Sequence, residues 1–256
     1  MIAIAGVCRD WAMVTLASGT DVWTEIVEAR ADPDRFGVIA GPLRADAESL
    51  QVDLGPGLSV RLTDRREWPR RAFGPLGPAQ MVPWLGQYWA PWLLGARVQG
   101  HFGGRDLAGA TAYAEKNWGA AFADHWWWGQ AAFGEDAGVA FAGGRVHGVA
   151  PTAIVVWTQR ELMTLAPPLA RTLTRAGGGE WHVRARSPRW RVELSGEARE
   201  PLLLPVPIPG ERRLEIRSRH HLLGRAELRV WRGRRVWFEG DSQLAALEDG
   251  ATPRGS

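Results

Sequence analysis

Apolar and polar residues alternate at a period of two through much of this chain, which commits it to half-buried antiparallel strands. Trp181, Val183 and Ala185 alternate with His182, Arg184 and Arg186. Past Ser187-Pro188, Trp190, Val192 and Leu194 alternate with Arg189, Arg191 and Glu193. The two runs read as a hairpin with one buried and one wet face. Ala226, Leu228 and Val230 lead to a turn at Gly233, and Val236 and Phe238 continue the buried face beyond it. Val52 and Leu54 enter the turn Gly55-Pro56-Gly57, and Leu58, Val60 and Leu62 leave it. Residues 1–7, 22–28 and 154–157 supply further strands. A weak helical signal at 160–173 is interrupted by Pro167-Pro168, which breaks the helical hydrogen-bond ladder. Many short strands with Gly-rich turns build a sandwich or a barrel, and a barrel of about eight strands encloses one small ligand.

The 256 residues suffice for one large β domain or two smaller ones. Residues 74–95 are rich in Pro and Gly but carry Trp84, Tyr88, Trp89 and Trp92. They are too apolar for a flexible linker and read as a packed crossing between two β units. The prolines recurring through 201–210 mark an extended edge. The net charge is +3, and the base is almost entirely arginine. Dispersed arginines that alternate with apolar residues read as the wet faces of strands, so no nucleic-acid partner is expected. Cys8 is the one cysteine. It reads as a small buried hydrophobe in a chain suited to a reducing compartment. The apolar start lacks the basic residues of a signal peptide. No stretch approaches the ~18 apolar residues that a spanning helix needs, so a soluble, cytoplasmic protein is expected.

The chemistry concentrates in one segment. Lys116 and Asn117 are the only lysine and the only asparagine of the chain, and they are adjacent. They sit in Tyr113-Ala114-Glu115-Lys116-Asn117-Trp118-Gly119, which is followed by Asp124-His125-Trp126-Trp127-Trp128-Gly129-Gln130. Four of the chain's 15 tryptophans fall here. On a strand, Tyr113, Glu115 and Asn117 share one face, and Lys116 and Trp118 share the other. For the same reason Trp126, Trp127 and Trp128 do not all face one cavity. Asp124 and His125 offer an alternative acid at a turn.

This segment resembles the central signature of the tocopherol cyclase family. Two further segments agree in order: the Pro/Trp-rich stretch from Pro83-Trp84 through Trp89 to Gly95, and Ser242-Gln243-Leu244-Ala245-Ala246-Leu247-Glu248-Asp249-Gly250 near the end. The family's aromatic Glu-Gly-Trp-Tyr-Phe-like strand has no counterpart before Trp23, and Ala123 stands where the family often has proline. The resemblance implies an all-β chain of two lipocalin-like antiparallel barrels in tandem, related to carotenoid hydratases. The N-terminal barrel, residues 1–94, is reduced; the C-terminal barrel, residues 95–256, carries the signature.

It also implies chroman-ring closure of a prenylated hydroquinone, in which an acid protonates an alkene and the phenol oxygen captures the tertiary cation. The acid must stay protonated at rest, as a carboxyl in an apolar site does; Glu115 is the candidate. Tyr113 relays a proton, and Asn117 and Gln130 orient the phenol. Trp118, Trp126, Trp127 and Trp128 offer indole faces, each worth about 0.5–2 kcal/mol to a cation. Lys116 and Trp89 complete the substrate-binding set. No cofactor is required.

Other classes lack their motifs. His-Glu-x-x-His and paired cysteines are missing, so no metal site is expected. Gly177-Gly178-Gly179 lacks the lysine of a phosphate loop. His220 and His221 point to opposite faces of a strand and do not chelate together, and His101, His147 and His182 are isolated. Two alternatives stand beside the cyclase: a hydratase that adds water to the same cation, and a lipocalin-like carrier of an isoprenoid. Residues 84–92 are also a candidate peripheral membrane contact, the rival reading being packing between the two β units.

Overall fold

A computed structural model describes residues 1–31, 37–69, 74–77, 87–119, 122–135, 137–146, 148–208 and 210–252. All regular elements among them are strands. The first sheet takes β1 (Ile2–Cys8), β2 (Trp11–Ser18), β3 (Asp21–Ala31), β4 (Val38–Ala40), β5 (Leu43–Ala45), β6 (Ser49–Val52) and β7 (Leu58–Glu67). It continues with β8 (Gln87–Phe102), β9 (Arg105–Asp106) and β10 (Thr111–Gly119). Neighbours in sequence are mostly neighbours in space, and the sheet is open, with β1 and β10 at its margins.

The second sheet takes β11 (His125–Phe133), β12 (Ala137–Arg145), β13 (Thr152–Trp157), β14 (Leu162–Leu165), β15 (Arg171–Gly177) and β16 (Glu180–Arg186). It is completed by β17 (Trp190–Glu197), β18 (Leu202–Ile208), β19 (Arg213–Arg232) and β20 (Arg235–Ala251). Its order is β14-β13-β12-β11-β20-β19-β17-β16-β15, with β18 on β19. The all-β, two-barrel architecture expected from the sequence is what the chain adopts: an open half-barrel and a nearly closed barrel. The second sheet closes through side chains. Thr152 on β13 and Thr174 on β15 bond hydroxyl to hydroxyl at 2.8 Å across the gap between its two margins.

The chain forms two compact units that interleave in sequence. One takes Met1–Pro69, Trp92–Lys116 and Leu203–Arg217, the other Arg70–Pro91, Asn117–Leu202 and Ser218–Ser256. The division expected at 94/95 falls inside β8. In the first unit Ala12, Val14, Leu16, Leu43 and Val52 form a buried core. Cys8 is buried as expected, and burial pushes its thiol pKa up.

The second core shows why alternation folds as it does. Along β16, Trp181, Val183 and Ala185 are buried while Glu180, His182, Arg184 and Arg186 are exposed. Each buried large apolar side chain contributes about 1.5–3 kcal/mol. Trp127, Phe141, Ile154, Trp181, Leu228 and Leu247 pack together here. Large indoles need small partners across the ladder. Trp157 pairs with Gly138, Trp127 with Gly143 and Trp126 with Gly250. A Cβ on any of these glycines would overlap the indole that covers it.

Two sequence expectations resolve differently. Val236 is 46 % exposed, because the β19–β20 ladder shifts register between Val230 and Trp231, and a one-residue slip exchanges the faces. Residues 160–173 hold no helical turn; they pass through β14 into β15. Of residues 74–95, 78–86 lie outside the described residues, including Trp84; 74–77 form a turn and 87–95 belong to β8. Within the proline-rich 201–210, Leu202–Ile208 forms β18, bonded among the described residues to β19 alone, which suits a strand whose prolines donate nothing.

Candidate active site

Strand β10 carries the signature. Tyr113 and Glu115 stand two apart on one face, and the Tyr113 hydroxyl donates to Glu115 Oε2 at 2.8 Å. Both are half-buried, as is Lys116, while Asn117 is exposed. Trp118 is 48 % exposed and stacks on Tyr88, with centroids 5.7 Å apart and planes at 21°. Trp89 is buried on β8. That bond fixes the orientation of the Glu115 carboxyl relative to the phenol.

The tryptophan triplet on β11 divides as alternation requires. Trp127 turns into the core, where its indole N–H donates to Thr152 Oγ1 at 2.9 Å. Trp126 and Trp128 take the opposite face, with Gln130 half-buried beyond them on the same side and across from Ala246. Asp124 and His125 are exposed.

That second face holds a polar cluster. Glu248 on β20 lies between Trp128 on β11 and His220 on β19, its direct cross-strand partners. Glu248 Oε1 accepts from the Trp126 indole at 2.7 Å and from the Ser218 hydroxyl at 2.8 Å. His220 Nδ1 is 3.3 Å from Glu248 Oε2. This is a close contact, not an aligned hydrogen bond, since neither imidazole nitrogen makes one among the described residues. Trp128 stacks on that imidazole at 5.5 Å. Gly250 makes the cluster possible, because Trp126 lies where a Cβ would stand. Burial pushes the Glu248 carboxyl pKa up, but contact with His220, its charge, and the Trp126 and Ser218 bonds outweigh this and hold it below the usual carboxylate range. Glu248 is therefore an ionised acceptor at neutral pH, unsuited to protonating an alkene.

On the core-facing side, His221 places Nδ1 3.3 Å from the Arg199 carbonyl and meets Trp181 edge-on. Burial pushes its imidazole pKa down. Beside it, Asp249 pairs with Arg219. Sequence reasoning placed Glu248 only within a family-like ending and set His220 aside for lack of a chelating partner. The signal that joins them is the β19–β20 register. His101 and His182 are exposed, His182 lying 3.4 Å from the Ser195 hydroxyl and 4.0 Å from the Glu180 carboxylate, and His147 lies outside the described residues.

Two consecutive antiparallel barrel-type sheets, with a phenol–carboxyl pair on the last strand of the first, define a tandem lipocalin-like protein. The tocopherol cyclase-like family model matches residues 96–251, more than half of the chain, and the chain belongs to that family. Kievitone hydratase from Nectria haematococca has a similar fold, with a TM-score of 0.51 at 10 % identity, covering 94 % of this chain and 83 % of that one. A protein from Nitrosomonas europaea assigned to AttH is also similar, with a TM-score of 0.50 at 13 % identity, covering 93 % and 79 %. No curated protein matches the chain. No helix among the described residues is long and apolar enough to cross a membrane.

Proposed function

We propose that this protein is an acid-type enzyme that protonates a trisubstituted alkene of an isoprenoid substrate, with Glu115 as donor and Tyr113 as the group that orients and relays. The observation that carries this is the 2.8 Å Tyr113–Glu115 bond on the signature strand. Protonation at the less substituted alkene carbon leaves a tertiary cation. In a prenylated hydroquinone the phenol oxygen captures that cation, and the phenolic proton returns to Glu115 as the chroman ring closes. Nothing is gained or lost overall, so the reaction is an isomerisation. Membership of the tocopherol cyclase-like family supports this outcome. Trp118 is proposed to offer its indole face to the cation, and Asn117, Lys116, Gln130 and Trp89 to bind substrate.

The fold shared with kievitone hydratase supports a second outcome, in which water captures the same cation. The two are separated by incubating the protein with a prenylated hydroquinone in H2(18O) and analysing products by mass spectrometry. Cyclisation gives a chromanol without the label, and hydration a tertiary alcohol that carries it. Glu115→Gln is expected to lower turnover by about 10²–10⁴ while substrate binding persists. Full turnover by that variant refutes the assignment of the acid. Binding by the native protein without any product would leave an isoprenoid carrier.

A further inference from the structure

Along the sequence the arginines look dispersed, yet the topology of the second unit gathers many of them at one end. The hairpin tips β16–β17 and β19–β20 are neighbours there, tied by the Gly233 amide donating to the Arg189 carbonyl at 3.2 Å. Trp190 faces Arg232 across the ladder, and Arg191 faces Trp231. Guanidinium groups lie on the indoles: Arg189 and Arg232 are 5.3 and 5.5 Å from the Trp190 ring centre. Arg191 and Arg229 are 4.2 and 5.7 Å from that of Trp231. Arg232 also covers Trp237 at 5.4 Å. Arg189, Arg191 and Arg229 have acidic partners in Glu161, Glu193 and Glu239. Arg186, Arg232, Arg234 and Arg235 are exposed and make no ion pair among the described residues. Val236 projects beside them, 46 % exposed, and a shallow groove runs from Arg235 over Trp237 and Phe238 to Arg160.

We propose that this end of the second unit docks on an anionic lipid bilayer. The inference is independent of the reaction proposed above. Excess arginine supplies the charge complement to phosphate headgroups. Indoles at the same level sit where apolar chains give way to headgroups, as aromatic side chains do at membrane interfaces, and arginine stems lie along apolar surface while their heads reach phosphate. Single-stranded nucleic acid is the lesser fit. It binds by stacking bases on open aromatic faces, and here those faces carry guanidinium groups.

The test is co-sedimentation of the full chain with vesicles of phosphatidylcholine alone and of phosphatidylcholine mixed with phosphatidylglycerol, at low and high salt. Binding is expected to the mixed vesicles only, to weaken with salt, and to shift tryptophan emission to the blue. Arg234→Gln with Arg235→Gln, at an exposed turn, should leave folding intact and lower partitioning roughly 30-fold, at about fivefold per arginine. A parallel titration with a single-stranded oligonucleotide supplies the rival. Equal binding to both vesicle types, unchanged binding by the double variant, or tighter binding of the oligonucleotide than of the mixed vesicles would each overturn the proposal.

Discussion

Replacing Glu248 by Gln tests the reading of the polar cluster most directly. The change keeps the shape of the side chain and leaves an oxygen for Trp126 and Ser218, now 2.7 and 2.8 Å from Oε1. What it removes is the charge. Hydrogen bonds to a charged group are worth about 1.5–3 kcal/mol against about 1 for neutral ones, so the two bonds together lose roughly 1–4 kcal/mol. The attraction to His220, 3.3 Å away and only 2 % exposed, is lost as well. Breaking a buried pair from one side costs about 3–5 kcal/mol in general; with the bonds partly kept, about 3 is expected here. For a unit of this size that lowers Tm by roughly 6–12 °C.

The pH dependence carries the sharper test. The folded pKa of Glu248 lies below its ordinary value of 4.5. Its contribution is therefore full above pH 4.5 and lost as pH falls through the folded value. Gln mimics the protonated carboxyl, so the gap between native protein and variant should narrow across that window. Thermal unfolding followed by tryptophan fluorescence over a pH series measures it. A gap below ~1 °C at neutral pH, or one unchanged in acid, would show that the carboxylate is not held ionised by these neighbours.

The remaining predictions use the same unfolding assays. Burial holds the His221 imidazole below its ordinary value of 6.5, so stability is full above that pH and declines as pH falls towards the folded value; His221→Gln should flatten the decline in urea midpoints. Gly250→Ala forces Trp126 off Glu248 and should cost about 1–3 kcal/mol, with a shifted indole N–H resonance. Thr152→Val leaves the Trp127 N–H without its acceptor, costing about 1–3 kcal/mol, and should speed hydrogen exchange along β13 and β15.

The strands were legible because alternation is a local signal. Trp181, Val183 and Ala185 fall inward as read, and so does the split of Trp127 from Trp126 and Trp128. The division of the chain into units was less legible, because single strands such as β19 contribute residues to both. The cluster around Glu248 was hidden by register. Counting outward from the Gly233 turn, where Arg232 faces Arg235, a regular hairpin places Leu247 opposite His220. The ladder slips by one between Val230 and Trp231, so Glu248 stands there instead. Such a slip decides whether a histidine meets leucine or carboxylate, and it depends on packing throughout both strands. The Tyr113–Glu115 pair needed no such knowledge, since both groups lie on one strand.

The hydroxyl bridge between Thr152 and Thr174 has a bearing on how this barrel varies over evolutionary time. Elsewhere among the described residues of the second sheet the circumference is set by backbone ladders, where adding or removing a strand breaks many bonds at once. At this one line the margins are joined by side chains. An extra hairpin inserted into the connection between β14 and β15, where Leu169 is 81 % exposed, would displace a threonine pair and leave the ladders intact. Change in barrel girth among relatives should therefore concentrate at this line, with the β11–β20–β19 face that holds Glu248 kept constant.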